Sequence, residues 1–289
     1  MSNLIDQSDR VKAMQRAIFS IADQLTPLVD LCKPYVDGLE HLPRDGRFLL
    51  VGNHTSSGVA EIVLIPYFVY RELGVRVRGL ASRSLARRRG LAADLLAAAG
   101  AVVGDQDNGA QLMRHHEALL VFPGGGREMP KFRGEDYQLF WEGRSGFARL
   151  AIAHDYPIVP VGLVGGDEVY LSLVERDSRW GRAGRLFTKH VLRQPEVNIP
   201  LIRGLGPTLI PRPQRMYLRF GAQIDTCKPA HASATVWEAS VKQRSQAALE
   251  TLLAELQQLR QTDPFRHLSP LGWRSAVTGQ RLSEISQVG

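Results

Sequence analysis

Phe48-Leu49-Leu50-Val51-Gly52-Asn53-His54 and Ala118-Leu119-Leu120-Val121-Phe122-Pro123-Gly124-Gly125-Gly126-Arg127-Glu128 are the two stretches that decide the architecture of this chain. Each begins with an unbroken apolar run of the length of a strand. Such runs, bounded by Gly or Pro, read as strands buried on both faces. A strand that ends in Asn53-His54 presents a histidine at the rim of a sheet. A strand that ends in Pro-Gly-Gly-Gly-Arg presents bare backbone and a cation beside it. Together they place a general base next to a pocket for an anionic, activated substrate.

Outward from these two runs the pattern alternates. Strand 47–52 leads to a helix over 58–73, strand 75–80 to a helix over 91–99, and a short strand at 101–103 to a helix over 107–117. Strand 118–122 enters the glycine loop, and a helix over 144–155 feeds Ile158-Val159-Pro160-Val161-Gly162-Leu163-Val164. Strand-helix alternation predicts an α/β fold with a largely parallel sheet flanked by helices. Functional residues then belong beyond the carboxyl ends of the strands. A further strand is expected at 215–221, and Thr235-Val236-Trp237-Glu238 reads as a capping box opening a long C-terminal helix to about 261.

Ahead of the sheet, Val11, Met14, Ile18, Ile21, Leu25, Leu28, Cys32 and Tyr35 recur at steps of three and four, one continuous helical stripe. Thr26-Pro27 divides it as the cap and first position of a second helix, giving an N-terminal helical hairpin. The hairpin either covers the core or lies at a membrane surface. The expected organisation is 1–40 N-terminal helices, 41–230 an α/β domain, and 231–289 a C-terminal helix and tail.

Lys and Arg outnumber Asp and Glu by 36 to 29 in 289 residues, a net charge of +7. That balance favours anionic partners, either phosphorylated ligands or anionic lipid. No nucleic-acid module is visible, so nucleic acid is not expected. Cys32 and Cys227 form neither a metal spacing nor a disulfide framework. No run of 18 apolar residues exists to span a bilayer, and no secretory leader is read from Met1 to Asp9. The expected location is cytoplasmic, peripherally associated with a membrane. An apolar helix face, from 11–35 or from Leu85 and Leu91 to Leu96, would work with Arg83, Arg87, Arg88 and Arg89.

His54 has the one side chain whose ordinary pKa suits proton abstraction near neutral pH. A base needs a carboxylate to orient it, and Glu61 is the nearest acid downstream. If Ser57 caps the following helix, Glu61 falls in its first turn. Gly124, Gly125 and Gly126 let backbone approach a ligand closely, and their amides are candidates for an anion nest or oxyanion site. Arg127 adds a full charge. Glu128 either holds the loop or is exposed.

Asn53-His54 with a following acid, then Phe122-Pro123-Gly124-Gly125-Gly126-Arg127, resembles the glycerolipid acyltransferase superfamily. The second block is similar to the Phe-Pro-Glu-Gly-Thr-Arg pattern of its lysophosphatidate branch. Pro123-Gly124-Gly125-x-x-Glu128 is similar to its diacylglycerol and monoacylglycerol branch. Gly100-Ala101-Val102-Val103 and Val159-Pro160-Val161 resemble two weaker blocks. The resemblance covers about residues 45–225. It implies an enzyme that moves a fatty acyl group from acyl-CoA, or an acyl-carrier protein, to a hydroxyl of a glycerolipid or other lipid alcohol. By that resemblance His54 and Glu61 are catalytic, and Gly124, Gly125, Gly126, Arg127 and Glu128 bind substrate. Two departures stand out. The family leaves four residues between its histidine and acid, a register that puts Val59 here, whereas Glu61 comes two residues later. Gly124 stands where the lysophosphatidate pattern has Glu, which favours a neutral acceptor.

Other chemistries find no support in the sequence. There is no Gly-x-Ser-x-Gly elbow around Ser56 or Ser57, and Arg127-Glu128 stands where a P-loop needs Lys-Ser/Thr. His115, His116 and His154 show no ligand spacing with nearby acids, so no metal and no cofactor beyond the acyl donor is expected. The rival reading is a non-catalytic lipid- or acyl-carrier-binding protein that keeps the same fold.

Overall fold

The computed structural model describes residues 8–15, 32–81, 94, 97–129, 131–179 and 200–268. Within them, strands β1 (Tyr35–Asp37), β2 (Leu49–Gly52), β3 (Val77–Ala81), β4 (Ala101–Val103), β5 (Ala118–Val121), β6 (Ile158–Val164) and β9 (Tyr217–Phe220) form one seven-stranded sheet. Strands β7 (Leu171–Ser172) and β8 (Ile202–Arg203) pair separately. The helices are α1 (Ala60–Leu73), α2 (Gln106–Arg114), α3 (Gly146–Ala153) and α4 (Ala234–Thr262). Sheet order is β1-β9-β6-β2-β5-β3-β4. The five strands from β6 to β4 run parallel. β9 is antiparallel to β6, and β1 is parallel to β9. The α/β class and the largely parallel sheet match the sequence pattern, and so does the long C-terminal helix.

Strand β2 lies at the middle of the sheet because both of its faces are apolar. Leu49 and Val51 pack on one side with Leu112, Met113, Phe147, Leu150, Val241, Leu249 and Leu253, from α2, α3 and α4. Phe48 and Leu50 pack on the other with Ile65 and Val69 of α1. The two-residue alternation of a strand thus feeds two separate cores. Helix α4 buries Val241, Leu249, Leu252, Leu253 and Leu256, one stripe at helical spacing. Each such side chain contributes about 1.5–3 kcal/mol, so a charge at Leu249 would lift the helix off the sheet.

Two expectations are corrected, and a third falls largely outside the described residues. The helical stripe does not reach Tyr35, because Tyr35–Asp37 pairs with Tyr217–Arg219 as a strand. Of the expected N-terminal helices, residues 9–15 are helical and 16–31 lie outside the described residues, as do Arg83, Arg87, Arg88, Arg89 and most of 91–99. The cap of α4 is Ser233, whose Oγ accepts from the Val236 amide, and not Thr235. Glu238 instead pairs with Arg149 and accepts from Ser145.

The parallel register explains how segments 68 residues apart become neighbours. Leu49, Leu50 and Val51 of β2 lie beside Leu119, Leu120 and Val121 of β5, and Gly52 lies beside Val161 of β6. The chain leaves β2 towards His54 and leaves β5 towards the glycine loop at the same edge of the sheet.

Candidate active site

The site begins with Asn53. Its side-chain amide donates to the Leu163 carbonyl at 3.0 Å and accepts from the Leu163 amide at 2.9 Å, as a backbone residue in a ladder would. His54 follows, 9% exposed, with its ring stacked on Phe122 at 4.1 Å between centroids. Phe122 is the first residue past β5, so the two strand ends meet through these rings.

Glu61 reaches the histidine despite the two additional residues. A turn closed by the Gly58 amide on the Thr55 carbonyl absorbs them. Gly58 has φ +64°, a left-handed conformation that costs glycine little. Ser57 Oγ accepts from the Ala60 amide at 3.2 Å, and Glu61 lies in the first turn of α1, where the helix dipole favours an anion. Glu61 Oε1 is 2.9 Å from His54 Nδ1 and accepts from the Thr55 amide at 3.0 Å. Its Oε2 accepts from Thr55 Oγ1 at 2.8 Å and Ser57 Oγ at 3.3 Å. Burial alone would raise this carboxyl. The hydrogen bond and charge of His54, with the Thr55 amide, outweigh burial and hold it below the ordinary carboxylate range. An ionised Glu61 accepts only, so the proton of a neutral His54 sits on Nδ1 and Nε2 keeps its lone pair.

The glycine loop folds as a tight 3-10 turn over Gly125–Arg127, with the Gly125 amide donating to the Phe122 carbonyl at 2.9 Å. Gly125 is therefore spent inside the turn. Arg127 is about one-third exposed and pairs with Glu142. The cation that grips the loop backbone is Arg144, whose guanidinium donates to the Pro123 and Gly124 carbonyls at 3.1 and 2.8 Å. Glu128 is fully buried. One oxygen accepts from the His54 amide at 3.1 Å and the other from the Phe140 amide at 2.9 Å. Gly124 has no room for a side chain, because a Cβ there would lie 2.1 Å from the Glu128 carboxyl carbon.

Besides Arg144, two residues at the site lie outside every motif of the sequence. Asp167, 2% exposed just beyond β6, accepts from the Ser56 amide at 2.7 Å and the Tyr137 amide at 2.8 Å. Burial pushes its carboxyl up to about 6 against the pull of Lys131 and the two amides. Lys131, also 2% exposed, donates to the Gln138 carbonyl at 2.6 Å and is the buried cation facing both Asp167 and Glu128. Burial likewise raises Glu128. Around this polar centre Val59, Ile62, Val63 and Met129 stand exposed on the first turn of α1 and beside the glycine loop. Among the described residues, no group of His, Cys, Asp and Glu has the arrangement of a metal site, and no helix is long and apolar enough to cross a membrane.

A buried His-Glu pair lies at the carboxyl edge of a parallel sheet, beside an arginine-held glycine turn, an arrangement that can accept a proton at His54 Nε2. Residues 33–164 match the family model described as Acyltransferase. Phytyl ester synthase 2, chloroplastic, of Arabidopsis thaliana is 28% identical over 274 residues, which is 84% of this chain and 38% of that protein. Phytyl ester synthase 1, chloroplastic, of the same plant is 29% identical over 80% of this chain and 35% of that protein. The chain thus spans little more than a third of the length of these relatives. The crystal structure of a 1-acyl-sn-glycerophosphate acyltransferase from Thermotoga maritima aligns over 86% of this chain and 85% of its own, at 16% identity and a TM-score of 0.47.

Proposed function

We propose that this protein is an acyltransferase, which moves a fatty acyl group from acyl-CoA, or from an acyl-carrier protein, to the hydroxyl of a lipid alcohol. His54 Nε2 takes the hydroxyl proton, and the oxygen attacks the thioester carbonyl. The C–O bond forms, the C–S bond breaks, and the thiolate leaves with the proton returned from His54. Transfer is direct, since among the described residues no activated Ser or Cys accompanies the histidine. The observation that carries this reading is the 2.9 Å contact between His54 Nδ1 and a Glu61 carboxylate held ionised despite full burial. That contact fixes the tautomer and stabilises the imidazolium as it forms. Gly124 in place of an acidic residue supports a neutral acceptor. The apolar rim of Val59, Ile62, Val63 and Met129 supports a lipid one. The resemblance to two phytyl ester synthases favours a long-chain alcohol over a phosphorylated acceptor.

Because the acceptor is a lipid, we place the protein at a membrane surface, with Arg127 and the loop amides meeting the anionic part of the donor. The test is product identification. Labelled acyl-CoA and acyl-carrier protein are each incubated with monoacylglycerol, diacylglycerol, lysophosphatidate and long-chain alcohols. An ester with a neutral alcohol, lost in His54→Ala, is expected. An acyl group trapped on the protein would remove direct transfer. Lipid binding without consumption of either donor would favour the non-catalytic alternative.

A further inference from the structure

Three successive backbone amides, those of His54, Thr55 and Ser56, each donate to a different buried carboxylate. The acceptors are Glu128 at 3.1 Å, Glu61 at 3.0 Å and Asp167 at 2.7 Å. They come from three elements: the turn after β5, the start of α1, and the turn after β6. We propose that Glu128 and Asp167 are positioning residues, which together with Glu61 clamp the backbone carrying His54. This assignment rests on the reading of His54 as the base, and it takes Glu128 out of direct substrate contact.

The second oxygens explain what the clamp is anchored to. Glu128 Oε1 accepts from the Phe140 amide at 2.9 Å, and Asp167 Oδ2 accepts from the Tyr137 amide at 2.8 Å. Each carboxylate therefore bridges the 54–56 segment to the 137–140 segment. Tyr137 is itself held in a left-handed conformation at φ +61°, with its hydroxyl accepting from the Gly165 amide and donating to Glu168. A non-glycine residue in that region persists only where its surroundings over-determine it. Both bridging carboxylates are at most 2% exposed, so neither presents an oxygen to a ligand. Lys131 lies among them as the counter-charge. Amide-to-carboxylate bonds are short and directional. They fix where the His54 Cα sits in a way that apolar packing at the same place would not. A base must meet its proton at hydrogen-bond distance, so a loose 54–56 segment costs turnover before it costs folding.

The experiment uses Glu128→Gln and Asp167→Asn in the full chain. Each keeps the side-chain shape and turns one acceptor oxygen into a donor that faces a backbone N–H. kcat for transfer to the identified acceptor is expected to fall by about 10- to 100-fold, as for a displacement of about 1 Å, with KM for the acyl donor held. In parallel, the His54 amide proton, followed by NMR in histidine-labelled protein, should lose its downfield shift and exchange faster in Glu128→Gln. In Asp167→Asn the same is expected of the Ser56 amide. If Glu128→Gln does not fold, Asp167→Asn carries the test through the same two readouts. Variants that melt earlier while turnover per folded molecule stays unchanged would overturn the positioning role. Unchanged amide shifts and exchange would overturn the clamp itself. Should wild-type protein transfer no acyl group to any acceptor, it is the functional reading that falls, and the amide measurements alone decide the clamp.

Discussion

Replacing Glu61 by Gln separates the charge of this carboxylate from its hydrogen bonds. Oε1 receives the His54 Nδ1 proton and the Thr55 amide, whereas Oε2 meets only the hydroxyls of Thr55 and Ser57. A glutamine can place its carbonyl at the first position and its NH2 at the second. Hydroxyls accept as readily as they donate, so every bond survives. What is lost is the negative charge that favours the imidazolium. A hydrogen bond to a charged group contributes roughly 1.5–3 kcal/mol and a neutral one roughly 0.5–1.5. The difference, about 1–2 kcal/mol, corresponds to about 5- to 30-fold in kcat. Glu61→Ala is predicted to be far worse, because it leaves the Thr55 amide buried without an acceptor at about 1–3 kcal/mol. The assay is steady-state acyl transfer at pH 7.5 for both variants and His54→Ala, with melting temperatures alongside. Glu61→Gln at wild-type kcat would refute a role for the charge. Glu61→Gln as inactive as His54→Ala, at an unchanged melting temperature, would refute the view that it only orients and stabilises.

Gly124→Ala sets a Cβ 2.1 Å from the Glu128 carboxyl carbon and should be strongly destabilising, whereas in a Glu128→Ala background the same change should be nearly neutral. A thermal-melt double-mutant cycle without that coupling would contradict the packing. Arg127→Lys keeps charge but loses the planar fork, so KM for the acyl donor should rise. A silent change in steady-state kinetics would leave Arg127 to its pair with Glu142 alone. The two pKa shifts act oppositely on stability. Glu61, held below 4.5, contributes stability that is present above that pH and is lost as pH falls through its lower folded value. Asp167, raised from 3.8 to about 6, favours the fold below 3.8 and loses that contribution, about 3 kcal/mol, as pH rises through about 6. Carboxyl NMR should find Asp167 titrating near 6, and a midpoint near 4 would sink the burial argument. If basic groups such as Arg83 and Arg87 to Arg89 attach the protein to anionic lipid at about 1 kcal/mol each, vesicle co-sedimentation should weaken with salt. Binding indifferent to salt and to anionic-lipid content would exclude that electrostatic contribution.

The elements legible in the sequence are those whose signal is local. Strands β2, β5 and β6 are uninterrupted apolar runs, and a sheet buried on both faces is the one place such runs fit. β1 was hidden because Tyr35 continues the helical spacing of Cys32 and Leu28. It is a strand because β9 pairs with β6 on one edge and needs a partner on the other. β7 and β8, two residues each, are too short for any period to show. Thr235 and Glu238 satisfied the capping spacing, but Glu238 is drawn away by Arg149, a partner 89 residues distant. At the site the same division holds. His54 and Glu61 announce themselves within eight residues of sequence, although their contact depends on the turn at Gly58. Asp167 reaches the site through the packing of β6, and Lys131 and Arg144 through the long segment between the glycine turn and α3. Asp167, three residues past the end of β6, lies where chemistry gathers beyond the carboxyl ends of parallel strands, although no motif marks it.

Asn53 fills the last rung between β2 and β6 with its side chain, and its partner Leu163 lies 110 residues further along the chain. The ribosome has made both motifs once Glu128 has been added, yet at that moment neither Leu163 nor Asp167 exists. A nascent chain that displays the complete sequence signature therefore has no rung to seat Asn53 and no carboxylate for Ser56. Competence is withheld until β6 has been synthesised and has docked. A fragment cut ahead of Leu163 would be recognised by its motifs and still lack the machinery they advertise.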